Sequence, residues 1–263
     1  MEFRVLAIGD VCGATGLAFL AKKLWAMRKH YGVDFTVVNG ENAAVLGITP
    51  AQARSLRDAG ADVITLGNHT FSRREIVSYL DDEPYIVRPA NWAPDTPGVG
   101  MCYYETDRGE VCVINLIGRV GMNVGPASPF DTIDALLAKA QARTKYIIVD
   151  FHAEATSEKI AMAYYLDGRA SVLFGTHTHV QTADERVFPK GLGYITDLGM
   201  TGAVDSVIGV RPAQSVAFFR GSMLTRFEDA GGAAAACGAV FTLDENGRCT
   251  DVERIRVENS CAL

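Results

Sequence analysis

The segment Phe174–His179, with the sequence Phe-Gly-Thr-His-Thr-His, guides the interpretation of the whole chain. It follows the short apolar run Ala170–Leu173, which is typical of a buried strand. Side chains alternate along an extended chain, so the pattern predicts that His177 and His179 point to the same side. Gly175 predicts a close approach of another backbone. Two imidazoles on one side suit a metal ion, although two surface histidines on a polar turn would give the same pattern.

Four other apolar runs end in polar residues of the same kind. A glycine precedes these polar residues in most cases, which predicts tight exits from the strands. The carboxyl ends of strands in an open α/β sheet share one edge, and ligands bind there. The sequence therefore predicts one site built from five strand ends. In chain order, the remaining candidate residues are Asp10, Glu41, Asn42, Asn68, His69 and His152.

Helical patterns between the runs predict an α/β fold. The alternation of strands and helices favours a mostly parallel sheet with helices on its faces. Without a linker or an internal repeat, we expect residues 1–263 to form a single domain. Helices are predicted near 17–31, 49–59, 72–80, 130–143, 156–166 and 212–223, and hairpins at 98–106 with 110–117 and at 239–243 with 250–257.

Composition excludes several classes of protein. With 263 residues, of which 48% are hydrophobic, the chain can bury a full core. A net charge of −6 argues against a surface for long nucleic acid, but not against a small anionic substrate held by metal. No basic start leads into a long apolar segment, so neither a signal peptide nor a membrane span is predicted, and a cytoplasmic location is expected. The six cysteines contain no C-x-x-C pair and are expected as reduced thiols.

The side chains at the five strand ends favour two metal ions. Besides His69 there are three histidines, two carboxylates and two amides, with no cysteine among them. This set is too large for one closed tetrahedral zinc site. It suits two divalent ions about 3.5–4 Å apart that share a carboxylate. Such a pair makes hydroxide available near neutral pH and holds phosphate oxygens.

Several segments resemble known families. Gly67–His69 and Gly175–His179 resemble the G-N-H and G-H-x-H signatures of the calcineurin-like metallophosphoesterases. A closer resemblance, extending to about Gly209, is to the bacterial YmdB-like phosphodiesterases. It implies a metallophosphoesterase fold, a four-layer α/β/β/α sandwich with two sheets between helices, and hydrolysis of 2′,3′-cyclic nucleotides. The segments that carry this closer resemblance are 8–11, 38–44, 64–70, 88–91, 150–159 and 177–185.

The resemblance also implies a role for each candidate residue. His69 would lie just outside the metals as the acid or charge stabiliser that faces the leaving oxygen. In the superfamily pattern a D-x-H motif follows the first strand, but here Cys12 replaces its histidine. The superfamily also uses an aspartate to bridge the two metals, and Glu41 replaces that aspartate here. More oxygen ligands make iron or manganese favoured over zinc. One ion would be held by Asp10, Glu41, Asn42 and His179, and the other by Glu41, Asn68, His152 and His177.

The expected function is a dinuclear metal phosphodiesterase that acts on small cyclic nucleotides of the 2′,3′-cyclic AMP type. Two alternatives use the same residues: a metal-dependent phosphomonoesterase or nuclease, and a regulatory protein that senses a nucleotide or a metal with little turnover. The expected partner is a small nucleotide substrate, with no membrane. The oligomeric state, including a homo-oligomer, is left open by the sequence.

A few further residues have two interpretations. Glu154, Ser157 and Glu158 follow His152 and are expected as a helix cap more than as support for the site. Cys12 is expected as a packed thiol and not as a ligand. The remaining candidates, for contact with a phosphate or the substrate, are Arg88, Arg119, Asp197 and Thr201.

Overall fold

The computed structural model describes residues 2–223 and 226–259, which form fourteen strands and six helices. The strands are β1 (Phe3–Ile8), β2 (Asp10–Val11), β3 (Phe35–Asn39), β4 (Val63–Thr65), β5 (Ile86–Val87), β6 (Met101–Thr106), β7 (Gly109–Ile117), β8 (Tyr146–His152), β9 (Val172–Thr176), β10 (Arg186–Val187), β11 (Gly193–Ile195), β12 (Met200–Ala203), β13 (Ala234–Leu243) and β14 (Cys249–Glu258). The helices are α1 (Gly13–His30), α2 (Pro50–Ala59), α3 (Ile76–Asp82), α4 (Pro129–Gln141), α5 (Thr156–Leu166) and α6 (Pro212–Phe219).

The strands form two sheets that mix parallel and antiparallel pairs. In the larger sheet, β1, β3, β4 and β5 are parallel neighbours, β13 pairs antiparallel with β1, β12 and β14, and β2 pairs with β12. In the smaller sheet the order is β10-β11-β9-β8-β7-β6, and its two edge strands, β10 and β6, are antiparallel. Parallel pairs outnumber antiparallel pairs in both sheets, so the prediction of mostly parallel strands is confirmed, although β13 of the second hairpin lies inside the larger sheet as an antiparallel strand.

Three apolar cores separate four layers. Along β1, Phe3 and Val5 face a core shared by the two sheets, whereas Leu6 and Ile8 face the core beneath α1 and α2. A third core joins the outer face of the smaller sheet to α4 and α5. The alternation of side chains across each strand thus places each sheet between the central core and a helical layer. The predicted α/β/β/α sandwich is confirmed.

Some predicted element boundaries are wrong. Helix α1 begins at Gly13, four residues before the predicted Leu17. Gly16 does not break this helix but allows it to pack closely on β12, since a Cβ at Gly16 would lie 2.1 Å from the Thr201 carbonyl oxygen. Helix α3 begins at Ile76, since the side chain of Arg73 is held by the carbonyls of Ala44 and Leu46 in the loop after β3. Helix α2 begins at Pro50 after the predicted Thr49 cap, and the side chain of Gln52 completes a capping box.

Two further boundaries differ from the prediction. Helix α6 ends at Phe219, before the left-handed Gly221, and not at Met223. Strand β13 begins at Ala234, five residues before the predicted 239, because its alanines pair with β12 and β14.

The described cysteines are buried free thiols, as expected: Cys12, Cys102, Cys112, Cys237 and Cys249. Cys261 lies outside the described residues. None of the helices in the described ranges is long and apolar enough to cross a membrane.

Candidate metal centre

The predicted site residues converge where the carboxyl ends of the two sheets meet. Asp10 lies in β2, directly after β1, and the loops after β3 and β4 carry the other residues from the larger sheet. His152 ends β8, and His177 and His179 follow β9 in the smaller sheet. The site therefore lies between the sheets, and both contribute side chains to it.

One group of side chains surrounds the Nε2 atom of His152. This nitrogen lies 2.9 Å from Asn68 Oδ1, 3.0 Å from Glu41 Oε1 and 3.1 Å from His177 Nδ1. A ring nitrogen carries at most one hydrogen and can satisfy only one such contact. We refer to these four residues as the His152 group. Three of them, Glu41, His152 and His177, offer ligand atoms within 4.8 Å of one another.

A second group lies beside the first and is defined by Asp10, Asn42 and His179. Asn42 Nδ2 lies 3.1 Å from His179 Nε2, and Asp10 Oδ1 lies 3.8 Å from the same nitrogen. Glu41 joins the groups, because its Oε1 contacts His152 and accepts a hydrogen bond from Asn42 at 3.3 Å. Glu41 therefore contacts a member of each group.

The outward nitrogen of each imidazole has a partner of its own. Nδ1 of His152 lies 2.8 Å from the Thr176 hydroxyl, Nε2 of His177 lies 3.1 Å from a carboxylate oxygen of Glu154, and Nδ1 of His179 lies 3.1 Å from the Ile208 carbonyl oxygen. Hydrogen bonds of this kind fix the tautomer of a metal-binding histidine and leave the other nitrogen with a free lone pair. In all three rings that other nitrogen faces the centre.

Three observations show that a divalent ion fits these residues. The contacts of 2.9–3.1 Å in the His152 group match the roughly 3 Å between neighbouring ligands of an octahedral ion with bonds of about 2.1 Å. Asp10 Oδ1 is buried without a hydrogen-bond partner among the described residues. A Cβ at Gly67 would lie 2.2 Å from Glu41 Oε2 and 2.4 Å from His152 Nε2, so only glycine leaves room for this cluster.

Burial and neighbouring charges shift the pKa values of the group in opposite directions. Burial opposes ionisation of Glu41, but His152 outweighs it and lowers the pKa of Glu41 to about 2. Burial alone would lower the pKa of His152, yet Glu41 and Asp10 raise it to about 9. For His177, burial and then His152 lower the pKa to about 3. Burial also lowers the pKa of His69, whose backbone N–H donates to Glu41 Oε2 at 3.1 Å.

The local backbone at His177 and His179 differs from the prediction. Strand β9 ends at Thr176, and the two histidines have φ angles of 102° and 65°, in the left-handed region. The expectation that they share one side of an extended strand is therefore wrong. They reach the centre because a strained turn directs both rings inward. Close approach at Gly175 is confirmed, since a Cβ there would lie 1.8 Å from the Thr196 carbonyl oxygen.

Several secondary candidates have structural contacts. The guanidinium of Arg88 is buried and donates to the carbonyls of Pro89, Thr96 and Pro97, so it does not face the centre. The carboxylate of Glu158 accepts backbone N–H groups of the loop at 119–120, and α5 has no side-chain cap, so the expected cap is wrong.

Cys12, Asp197 and Thr201 lie near the centre, whereas Arg119 is exposed and its backbone N–H donates to Glu158. The thiol of Cys12 is buried, and its Sγ lies 3.5 Å from His179 Nδ1 and 3.9 Å from Nε2 of the same ring. Asp197 is buried and paired with Lys159, and Thr201 is buried in β12. Neither of these two residues lies on an open surface.

The network behind His152 was not predicted from the sequence. The Thr176 hydroxyl, which contacts His152, donates to Asp150 Oδ1 at 2.8 Å. The second oxygen of Asp150 accepts from Thr65 at 2.5 Å and from Asn39 at 3.0 Å. Burial raises the pKa of Asp150 to about 6. A signal existed, because Asp150 is an acid inside an apolar strand, two residues from His152 and on the same side.

Comparison with known proteins places this geometry in a family. The family model described as YmdB-like protein matches residues 6–255. The chain belongs to the YmdB-like family. Within it, the chain is 44% identical to the 2′,3′-cyclic-nucleotide 2′-phosphodiesterase of Bacillus subtilis (strain 168), and the alignment covers 97% of each chain.

Two solved structures of similar proteins share the fold of this YmdB-like chain. One is the crystal structure of a hypothetical protein from Thermus thermophilus, with a TM-score of 0.90 and 39% identity over 97% of this chain and 99% of that one. The other is that of a novel phosphatase from Mycoplasma pneumoniae, with a TM-score of 0.91 and 33% identity over 98% and 94%. The predicted family and metallophosphoesterase fold are confirmed.

Proposed function

We propose that this protein is a two-metal phosphodiesterase that hydrolyses small 2′,3′-cyclic nucleotides. The observation that carries the proposal is the arrangement of the three imidazoles. In all three rings the outward nitrogen is engaged. The inward nitrogen faces Glu41 and Asn68 in His152, Asn42 and Asp10 in His179, and the His152 ring in His177. Membership of the YmdB-like family and the name of the Bacillus subtilis relative support a phosphodiesterase rather than a sensor without turnover.

The two groups of side chains correspond to two ions. One ion would be held by Asp10, Asn42 and His179 together with the shared Glu41. The other ion would be held by the His152 group. When bound, two such ions make hydroxide available near neutral pH and neutralise phosphate charge. Oxygen donors dominate the set that contains Asp10, because His179 is its one imidazole, so iron or manganese is favoured over zinc. The sets are Asp10, Glu41, Asn42 and His179, and Glu41, Asn68, His152 and His177.

His69 is proposed to assist the leaving oxygen. Its backbone N–H bonds to Glu41, so the residue is attached to the centre through its main chain while its ring stays outside the His152 group. Hydrolysis adds the elements of water: an oxygen attacks phosphorus, one ring P–O bond breaks, and the departing oxygen takes up a proton. Because burial lowers the pKa of His69, the neutral ring acts chiefly as an N–H donor to that oxygen.

The charges around the site favour a diester. A phosphomonoester carries about two negative charges at neutral pH, and a site that selects it is expected to add fixed cations. Arg88, a candidate for that task, is occupied by backbone carbonyls, and Lys159 is paired with Asp197. A cyclic 2′,3′-phosphodiester carries one charge and a strained ring, so two ions and His69 suffice.

The test compares kcat/KM for 2′,3′-cyclic AMP, AMP and a generic phosphomonoester, using manganese- or iron-loaded protein. We expect the cyclic diester to be hydrolysed fastest. A chelator control and the Asp10→Ala variant exclude a contaminating enzyme. A clear preference for the monoesters would establish the phosphomonoesterase alternative. Nucleotide binding without turnover under any metal would favour the sensor.

A further inference from the structure

A buried ion pair lies directly behind the turn that carries His177 and His179. Lys159 of α5 and Asp197 are each about 1% exposed, and Nζ lies 2.7 Å from Oδ2. Neither side chain belongs to the two groups described above. A buried pair of this kind is costly to desolvate, so it is weak evidence for stability and directs attention to what it holds in place.

The carboxylate of Asp197 binds two backbone segments of the centre. Its Oδ2 accepts the N–H of Thr178, the residue between the two histidines, at 3.1 Å. Its Oδ1 accepts the N–H of Gly199 at 2.8 Å. The carbonyl of Gly199 in turn accepts the N–H of Asp10 at 3.1 Å. One carboxylate therefore fixes the backbone of the histidine turn and, through Gly199, that of Asp10.

The turn needs such support because its backbone is strained. Positive φ angles at His177 and His179 are unfavourable for residues with a Cβ. The hydrogen bond at Thr178 lies in the middle of this strained segment. Lys159 lies against the same segment, since a Cβ at Gly175 would lie 2.8 Å from its Cδ. The pair thus packs against the turn and binds it.

We propose that Lys159 and Asp197 are positioning residues that hold the histidine turn and Asp10 in the geometry for binding metal. The inference rests on the proposed two-metal function. Asp10 and His179 would bind the same ion, so loss of the Lys159–Asp197 pair affects the binding of that ion through both residues. The other ion depends on the turn only through His177, which Glu154 also holds. Disruption should therefore weaken the two ions unequally.

The test is a Co²⁺ titration of chelator-treated protein, followed by visible absorption. His179→Ala and His152→Ala variants assign the two binding phases in the wild type. Lys159→Met and Asp197→Asn should weaken the phase of the Asp10 and His179 site by about 10–100-fold and leave the other phase within a few-fold, the range usual for residues that orient ligands. Lys159→Arg should restore part of the loss.

Arg169→Met is the matched control. It also replaces a cation by methionine, but it breaks the exposed pair with Asp134 at the opposite end of the smaller sheet. This variant should bind both ions as the wild type does. Wild-type affinities for both ions in Lys159→Met and Asp197→Asn would overturn the proposal. Failure of the wild type to bind a second ion would instead contradict the proposed function.

Hydrogen exchange in the wild type provides a test that needs no variant. The amides of Thr178 and Gly199 should exchange slowly without metal, because Asp197 accepts both. Exchange as fast as that of an open loop would show that the Lys159–Asp197 pair does not hold the turn, whatever the stability of the variants.

Discussion

At the scale of single residues, the centre is defined by what lies behind each imidazole. The sequence predicted which side chains converge, because acids, amides and histidines repeated at strand ends are typical of a metal site. It did not predict their partners: Glu154 was expected at a helix cap, and no pattern predicted the contacts of Thr176 with His152 and Asp150. Those contacts depend on the packing of one segment against another, and the local sequence signals only the buried acid Asp150, not its partners.

Metal binding should release a proton from His152. Its pKa of about 9 lies above the ordinary value, so the metal-free protein carries this proton at pH 7.5. Protonated His152 stabilises the folded metal-free protein. This contribution to the free energy of unfolding is complete below about pH 6.5 and is lost as the pH rises through about 9. An ion needs the lone pair on Nε2, so Mn²⁺ binding should expel the proton. Calorimetry in two buffers with different ionisation enthalpies measures the number of protons released on Mn²⁺ binding. Binding without proton release would contradict this assignment.

His69→Ala should separate catalysis from metal binding. The ring of His69 lies outside both groups of proposed ligands, so we expect the metal content to remain near that of the wild type. Loss of the N–H donor to the leaving oxygen should lower kcat by about 10²–10⁴-fold. Metal analysis and turnover of 2′,3′-cyclic AMP measure the two effects. Loss of the metals would mean that His69 is a ligand.

At the scale of elements, the turn after β9 shows where sequence reasoning failed. The alternation rule applied to an extended chain, but the strand ends at Thr176 and a left-handed turn follows. Gly175 was interpreted correctly, since its lack of a side chain is a local property with a local consequence. The strained backbone of His177 and His179 is held by Asp197, twenty residues further along the chain than His177, so no short window of sequence reveals it.

Gly175→Ala should destabilise the protein. The added methyl would lie 1.8 Å from the Thr196 carbonyl oxygen, so β9 and β11 would have to move apart. We expect the free energy of unfolding to fall by about 1–3 kcal/mol. Urea unfolding of metal-free protein measures the change. Gly125→Ala is the matched control, because a Cβ at that position meets nothing within 4 Å. Equal stability of the two variants would show that the close approach at Gly175 is unimportant.

At the scale of the whole molecule, the centre joins the two sheets. The larger sheet supplies Asp10, Glu41, Asn42 and Asn68, and the smaller sheet supplies the three histidines. The alternation of strands and helices predicted an α/β class, and the two hairpins followed from their turns. The division into two sheets came only from the resemblance to a family. Periodicity cannot show which strands pair, such as β12 with β2.

Bound metal should stabilise the whole chain, because the ions link side chains of both sheets. We infer that the chain is one folding unit, so that unfolding is a single transition that shifts upward when metal is added. At a free ion concentration of about 100 times the Kd, the gain is about 2.7 kcal/mol per site. Calorimetry with and without a chelator measures it. Two separate transitions, or no shift with metal, would contradict a centre shared by the sheets.

The proposed two-metal centre between the sheets is tested most directly by anomalous diffraction from manganese-loaded crystals. We expect two anomalous peaks in each chain, about 3.5–4 Å apart. Both peaks should contact Glu41. One should also contact Asp10, Asn42 and His179, and the other Asn68, His152 and His177. A single peak at full loading, or peaks away from these residues, would contradict the two-metal centre.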